Sequence, residues 1–261
     1  MNKSMKYRVL PVVLGFILLA AAACGPRTRS AGFDAAQEWA NLEKQVADLK
    51  ALRAQVDDVK AQIAKWEQER RSPGTFKAEE LPDKSLEMLR SQLDSLDGSR
   101  LKGAVTAFWD NLTLFLNRAL NNPKLKELPE TKKALRLYSD ESIVLARQVV
   151  EQEGNYEQAL VLLRQAQDYE KDYKALADEI ARLAEFRFLT QKHFDAAAKG
   201  MGMAEIRALC GVPNPAYVRE KQEKGRTLTA WFYPKEGRGT AAFFFQDGKL
   251  YEKQWDTLKN P

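Results

Sequence analysis

One histidine and two cysteines in 261 residues leave this chain short of the side chains on which much enzyme chemistry runs. Two cysteines can form at most one bridge, so no disulfide framework holds the fold. A transition-metal site would have to be built mainly from carboxylates, a poor donor set for zinc. No metal and no cofactor is therefore expected. His193 and Cys210 could supply a nucleophilic thiol only with a third orienting group and a pocket, and the pattern around them shows neither. Cys210 reads as a buried small hydrophobe, and His193 as a surface or helix-end residue. Gly-rich phosphate loops and Ser-His-Asp constellations are missing too. Long apolar runs are scarce. The one at residues 12–23 would make a helix about 18 Å long, against the roughly 30 Å of a bilayer core.

That run has a basic head, Lys3, Lys6 and Arg8, and ends Leu19-Ala20-Ala21-Ala22-Ala23-Cys24-Gly25. A basic head, a short apolar core and small residues before a cut are the anatomy of a secretory signal. The cysteine after three small residues resembles the bacterial lipoprotein signal, the lipobox, with Ala21 where leucine is commonest. The resemblance implies cleavage before Cys24, a diacylglycerol on its thiol, and a mature chain facing the periplasm of a Gram-negative-type envelope. Gly25 is not the aspartate that retains many lipoproteins at the inner membrane, so the outer membrane is favoured. One acyl chain holds marginally, while two or three hold stably. The cut removes three cations and no acid from 41 basic and 36 acidic residues, leaving 38 against 36. A balance of +2 is no nucleic-acid footprint, despite a sequence pI near 9.0.

The predicted division is residues 1–23 as signal, 24–32 as tether, 33–190 as a helical bundle and 191–261 as a separate domain. The bundle opens with a helix over 33–70 free of Pro and Gly. Its apolar residues, Trp39, Leu42, Val46, Leu49, Leu52, Val56, Val59, Ile63 and Trp66, follow heptad-like spacing with one three-residue slip at Leu49–Leu52. So narrow a stripe wants a partner. A later helix of the same chain is the first reading, and self-association with a second copy through this helix is the other. Ser72-Pro73-Gly74 should stop it. Asp83 is expected to cap a helix ending at Asp97-Gly98. A helix over 100–121, with Phe108, Trp109, Leu112, Phe115 and Leu116, should be central in the core. Residues 131–190 read as helical with a break at Gly154-Asn155, the second helix continuing through Tyr169 and Tyr173. Ala146, Val150, Gly154, Tyr156, Ala159, Leu160, Leu163 and Ala166 resemble the inner part of a tetratricopeptide repeat. No second unit follows at the expected period of about 34 residues, so the segment is taken as an αα-hairpin. The acid pairs Asp57-Asp58, Glu79-Glu80 and Asp140-Glu141 read as solvated helix faces.

After Lys199 the pattern turns to strands: residues 216–222, 227–233 and 241–245, with Asp247-Gly248 as a hairpin turn before Leu250-Tyr251. Residues 199–213, Lys-Gly-Met-Gly-Met-Ala-Glu-Ile-Arg-Ala-Leu-Cys-Gly-Val-Pro, resemble the opening signature of the SmpA/OmlA (BamE-like) lipoproteins. Trp231-Phe232-Tyr233 matches their W-x-Y, and Phe245-Gln246-Asp247-Gly248-Lys249-Leu250 their last hairpin. Gly202 stands where Ser or Thr is usual, and Cys210 where leucine is common. Gly202 can cap the short helix, with Glu205 in its first turn facing the positive helix end. Ile206 and Leu209 would face the sheet, and Gly211 and Pro213 end the helix. Trp231 and Tyr233 share a sheet face. The resemblance gives Gly200, Met201, Glu205, Ile206, Leu209, Gly211, Pro213, Trp231, Tyr233, Phe245 and Gly248 a fold-supporting role. It implies a two-layer α/β domain with an antiparallel sheet and, for the family's best-known members, support of outer-membrane β-barrel assembly.

The expectation is thus an α+β protein: an antiparallel helical bundle, then a small domain. No catalytic residue is assigned, and Cys24 is the one residue given a chemical fate. The function expected is a non-catalytic scaffold or accessory subunit, anchored in the membrane by lipid and holding an envelope protein partner, without nucleic acid. The alternative is an inhibitor or sensor module engaging an envelope enzyme or a cell-wall ligand.

Overall fold

Three- and four-residue apolar spacing, uninterrupted by proline or glycine, makes one long helix, α1 (Ala35–Arg71). The computed structural model describes residues 33–71 and 83–257, so Cys24, the tether and Glu79-Glu80 lie outside the described residues. Asp34 caps α1, its carboxylate accepting from the amides of Ala36 and Gln37. At 1.5 Å per residue α1 is about 55 Å long. It buries Ala35, Leu42, Leu49 and Val56, one residue in every seven, and then Val59.

The partner of α1 comes from the same chain. α2 (Asp83–Leu93), a π-helical stretch (Asp94–Leu101) and α3 (Lys102–Leu120) run on without interruption. Asp97-Gly98 therefore does not end a helix. The backbone on both sides of the stretch stays right-handed helical, at Leu93 and at Lys102, and the turn widens instead of breaking. Nor does Asp83 stand before the helix: α2 begins with it. Ion pairs fix an antiparallel register: Glu38 with Arg118, Lys60 with Asp97, Glu67 with Arg90. Twenty-two residues forward on α1 are answered by 21 back on its partner, and the next seven by seven. The wide turn falls where α1 buries Val56 and Val59 in quick succession, and it offers Leu96 and Leu101 to the same core. Phe108, Leu112, Phe115, Leu116 and Ala119 give α3 the broad buried face expected of it.

After α4 (Pro123–Lys126) comes α5 (Pro129–Glu153). The chain divides into two compact units within α5, between Ala134 and Leu135. In the second unit α5 packs with α6 (Tyr156–Tyr169) and α7 (Lys174–Glu185) around Ala146, Val150, Ala159, Leu160, Leu163, Ala166, Leu176 and Leu183. The small residues at 146, 159 and 166 are wholly buried.

The helix after Gly154 does not continue through Tyr173. It ends at Tyr169, and Glu170–Tyr173 turn back. Side chains pin that turn to α5. Glu170 accepts from Arg136 at 3.0 Å, the Tyr173 hydroxyl donates to Asp140, and the Arg136 guanidinium lies 3.6 Å from the Tyr173 ring centre. Glu141, read as solvated, is buried because the face of α5 after Asp140 turns inward.

Short α8 (Gln191–Ala196) and α9 (Met203–Cys210) lead through a 3₁₀ turn (Pro215–Tyr217) to the sheet. Its strands are β1 (Val218–Glu223), β2 (Arg226–Pro234), β3 (Thr240–Gln246) and β4 (Lys249–Thr257), an antiparallel meander in sequence order. Two tight turns set it. Lys224-Gly225 and Asp247-Gly248 both hold paired positive φ angles, 48° and 77°, 50° and 80°. That is the geometry of a two-residue hairpin turn. The whole is an α+β fold, and among the described residues no helix is long and apolar enough to cross a membrane.

Leu49 is 1% exposed in the narrow seam of α1. Leu49→Ala should lower the unfolding free energy by about 2–4 kcal/mol. Urea denaturation measures it, and an unchanged midpoint would remove Leu49 from the core.

Candidate functional site

The residues singled out by sequence motif meet in one place, the layer between the sheet and the two short helices. Gly200 donates its amide to the Leu250 carbonyl at 2.7 Å, and Leu250 returns a bond to Met201 at 2.8 Å. Met203 donates to Gly248. The two ends of the motif, some fifty residues apart in sequence, are thus hydrogen-bonded as a short extra ladder along β4. Glycine at 202 has no side chain to accept a bond. The cap on α9 is made by Glu205 alone, whose carboxylate takes the Gly202 amide at 2.6 Å. Ile206 is fully buried and Leu209 half-buried against the sheet. Trp231, Tyr233, Phe243 and Phe245 form the inner face of β2 and β3, the Trp231 and Phe245 rings 4.6 Å apart. Main-chain bonds of Gly200, Met201 and Gly248 and packing by Ile206, Trp231, Tyr233 and Phe245 join the short helices to the sheet.

Cys210 is 2% exposed, and burial pushes its thiol up to about 12, only partly offset by Lys253. Its sulfur faces the backbone carbonyl of His193. A thiol so held is protonated and unreactive at neutral pH. His193 lies in the last turn of short α8, a helix-end residue whose ring is largely covered and stacks on Phe186, centroids 5.8 Å apart.

One turn ties the helical hairpin to the sheet. Residues 211–214 run between them. The Tyr156 hydroxyl, at the start of α6, accepts from the Val212 amide at 2.7 Å, and the Tyr233 hydroxyl, on β2, donates to the Gly211 carbonyl at 2.9 Å. Burial raises the hydroxyl pKa of both tyrosines. Gly211 has φ +87°, and a Cβ there would lie 2.5 Å from the Tyr156 oxygen. From the other side Gly154, φ +58°, touches the backbone of Pro213 and Asn214 so closely that no side chain fits. Arg207 on α9 adds an ion pair to Glu151 on α5. Sequence reading placed Gly211, Pro213, Tyr156 and Tyr233 separately. Nothing in their spacing shows that two hydroxyls converge on one turn.

Two charged sites escaped the sequence altogether. Glu179, 3% exposed, is held by both Arg147 and Arg182 at 2.6–3.1 Å. Burial alone would raise its pKa, but the two guanidiniums outweigh it and bring the carboxyl down to about 2. Lys235, nearly covered, pairs with Asp256 and lies 4.8 Å from the Trp255 ring centre. Lys253 caps the end of α8, donating to the carbonyls of Phe194 and Asp195.

On its outward face the sheet carries an aromatic row, with Glu252 opposite Phe244. Phe232, Phe244 and Tyr251 form a row across β2, β3 and β4, successive ring centres 6.4 and 6.5 Å apart. Phe232 and Phe244 are half-buried and Tyr251 is exposed. The neighbouring edge strand β1 is exposed from Arg219 to Glu223 and charged, which discourages another strand from adding there. The other edge strand, β4, is covered by residues 200–203 only around Gly248–Leu250. Comparison of the chain with protein-family models, with curated proteins and with solved structures finds no match in any of the three.

Gly211→Ala combines a left-handed backbone with a collision, and should cost more than about 2 kcal/mol. Thermal unfolding followed by circular dichroism measures it, and a stable variant would mean the turn is not clamped. Glu179, depressed from 4.5 to about 2, gives stability that is complete above pH 4.5 and is lost as pH falls toward 2. Glu179→Gln should flatten the acid limb of the stability profile between those values. Parallel profiles for the two proteins would contradict the depressed pKa.

Proposed function

We propose that this chain is an envelope lipoprotein, anchored through Cys24, that acts as a non-catalytic scaffold or accessory subunit for a protein partner. Support comes first from the aromatic row Phe232–Phe244–Tyr251, a rigid apolar face on a sheet whose other face is filled. Tyrosine and phenylalanine presented on a fixed backbone supply contact area with little side-chain entropy to lose. The charged strand β1 discourages strand addition at the edge beside Phe232. The buried, protonated Cys210 agrees with a binding role, since the thiol is closed to substrate. The lipobox-like run before Cys24 supports the envelope and a lipid anchor. The SmpA/OmlA-like motif residues support outer-membrane protein assembly as the setting.

Cys24→Ser should move the protein from the membrane fraction to the soluble periplasmic fraction, and labelled palmitate should mark only the parent chain. If the variant stays in the membrane and the parent takes up no label, the anchor is wrong. A photo-reactive phenylalanine analogue at Tyr251 should cross-link an envelope protein in cells, while the same analogue at Lys171 should not. Barrel-assembly subunits in the product support the assembly setting. A single hydrolase would point to an inhibitor instead.

A further inference from the structure

The start of α1 and the last turns of its antiparallel partner stand at the same end of the first unit. Glu38, in the first turn of α1, pairs with Arg118 in the last turn of α3, and the Phe33 and Phe115 rings are 5.6 Å apart. Only residues 25–34 separate Cys24 from Ala35, a length of chain that cannot exceed roughly 40 Å. Whatever holds Cys24 at a membrane therefore holds this end of the unit near its surface, while the rest of α1 leads about 55 Å away.

That end carries cations in a fixed turn. α4 is held by Asn122, whose side chain accepts the Lys124 amide at 3.0 Å, and by Thr131, fully buried, whose hydroxyl donates to the Leu125 carbonyl at 2.7 Å. Lys124 and Lys126 are exposed on this turn, and neither has an acidic partner among the described residues. The local acids are already engaged or placed otherwise. Glu38 meets Arg118, Glu127 meets Lys132 at 3.3 Å, Asp34 caps α1, and Glu130 sits in the first turn of α5. Lys133 adds a further cation above the Trp39 ring. Arg27 and Arg29 lie in the tether that leads to this end.

We propose that the α4 turn, through Lys124 and Lys126, docks on the anionic phospholipid headgroups of the membrane that holds Cys24. The docking rests on the anchored reading given above, because the tether supplies the proximity. A weak contact is enough under those conditions: the anchor converts it to an intramolecular one. Docking by this turn would stand α1 away from the bilayer. A lysine close to an anionic surface is worth about five-fold in affinity, so removing both charges should weaken docking about thirty-fold.

The test does not need the cell to have lipidated the chain. Cys210 is buried, so the chain from Cys24 onward can be coupled through the Cys24 thiol to a maleimide lipid in vesicles. Lysines are then acylated briefly and counted by mass spectrometry. On vesicles of equimolar phosphatidylserine and phosphatidylcholine, Lys124, Lys126 and Lys133 should be protected relative to phosphatidylcholine alone. Lys171 and Lys221 should react equally on both. High salt should abolish the protection. Lys124→Gln with Lys126→Gln should free Lys133 while leaving the helical circular dichroism unchanged. Equal labelling on the two vesicles overturns the docking, as does protection that survives salt or appears without anionic lipid. A failed palmitate label with intact protection would instead remove the anchor and leave the docking surface standing.

Discussion

Residues 211–214 bear the connection on which the second unit depends. Two hydroxyls approach a single turn from opposite elements, Tyr156 from the helical hairpin and Tyr233 from the sheet, and Gly154 closes the remaining side by backbone contact. None of these contacts tolerates much movement. The Tyr233 bond satisfies a buried main-chain carbonyl and the Tyr156 bond a half-buried amide, and leaving a buried group unpaired is costly. The glycines admit no side chain. Hairpin and sheet are coupled at this turn through a few atoms, with Arg207 and Glu151 tightening it from the surface, and a second link runs from Leu189, after α7, to Pro234 and Glu236 at the end of β2. A face presented on the sheet takes its orientation relative to α5–α7 from this turn together with the Leu189 link.

Polar anchoring recurs in the hairpin. Arg136 and Asp140 on α5 meet Glu170 and Tyr173, and Arg147 meets Glu179 further along. Residue numbers rise together on α5 and α7, so these two helices are parallel, with α6 returning between them. The small residues Ala146, Ala159 and Ala166 let the apolar cores close, while the charged contacts select the register. Desolvating Glu179 is costly, and two half-exposed guanidiniums offset it, so removing either leaves a buried charge short of partners.

Much of this was legible in the residues. Periodicity marked α1, α3 and the hairpin, and Asp247-Gly248 marked a turn, because those signals are local and each has one physical meaning. The strands around Trp231 and Phe243 were legible for the same reason. Three things were not. Asp97-Gly98 resembled a stop, yet a glycine in mid-helix costs only about 1 kcal/mol, and burial on both sides of the widened turn outweighs it. Tyr173 continued the helical spacing of Tyr169, but contacts with Arg136 and Asp140 on another helix turned the chain there. Glu141 looked like a surface charge, and Glu179 and Lys235 gave no signal at all, since sequence does not reveal which face of an element will be covered by one that arrives later. The outward places of Phe232 and Phe244 follow from plain alternation with Trp231, Tyr233, Phe243 and Phe245, and only Tyr251 falls outside it, as the extra residue of β4 at a bulge opposite Phe244 and Phe245.

The π-helical stretch between α2 and α3 bears on how the first unit responds to force. A helix that widens for a turn stays hydrogen-bonded through the irregularity, where a loop would not. From Glu38 to Glu67 α1 advances 29 residues, and from Arg118 back to Arg90 its partner advances 28, so the ion pairs stay within one residue of step across the stretch. Strain applied at Arg118 therefore passes through 94–101 to Arg90 along continuous helix, with no slack segment between them to take it up.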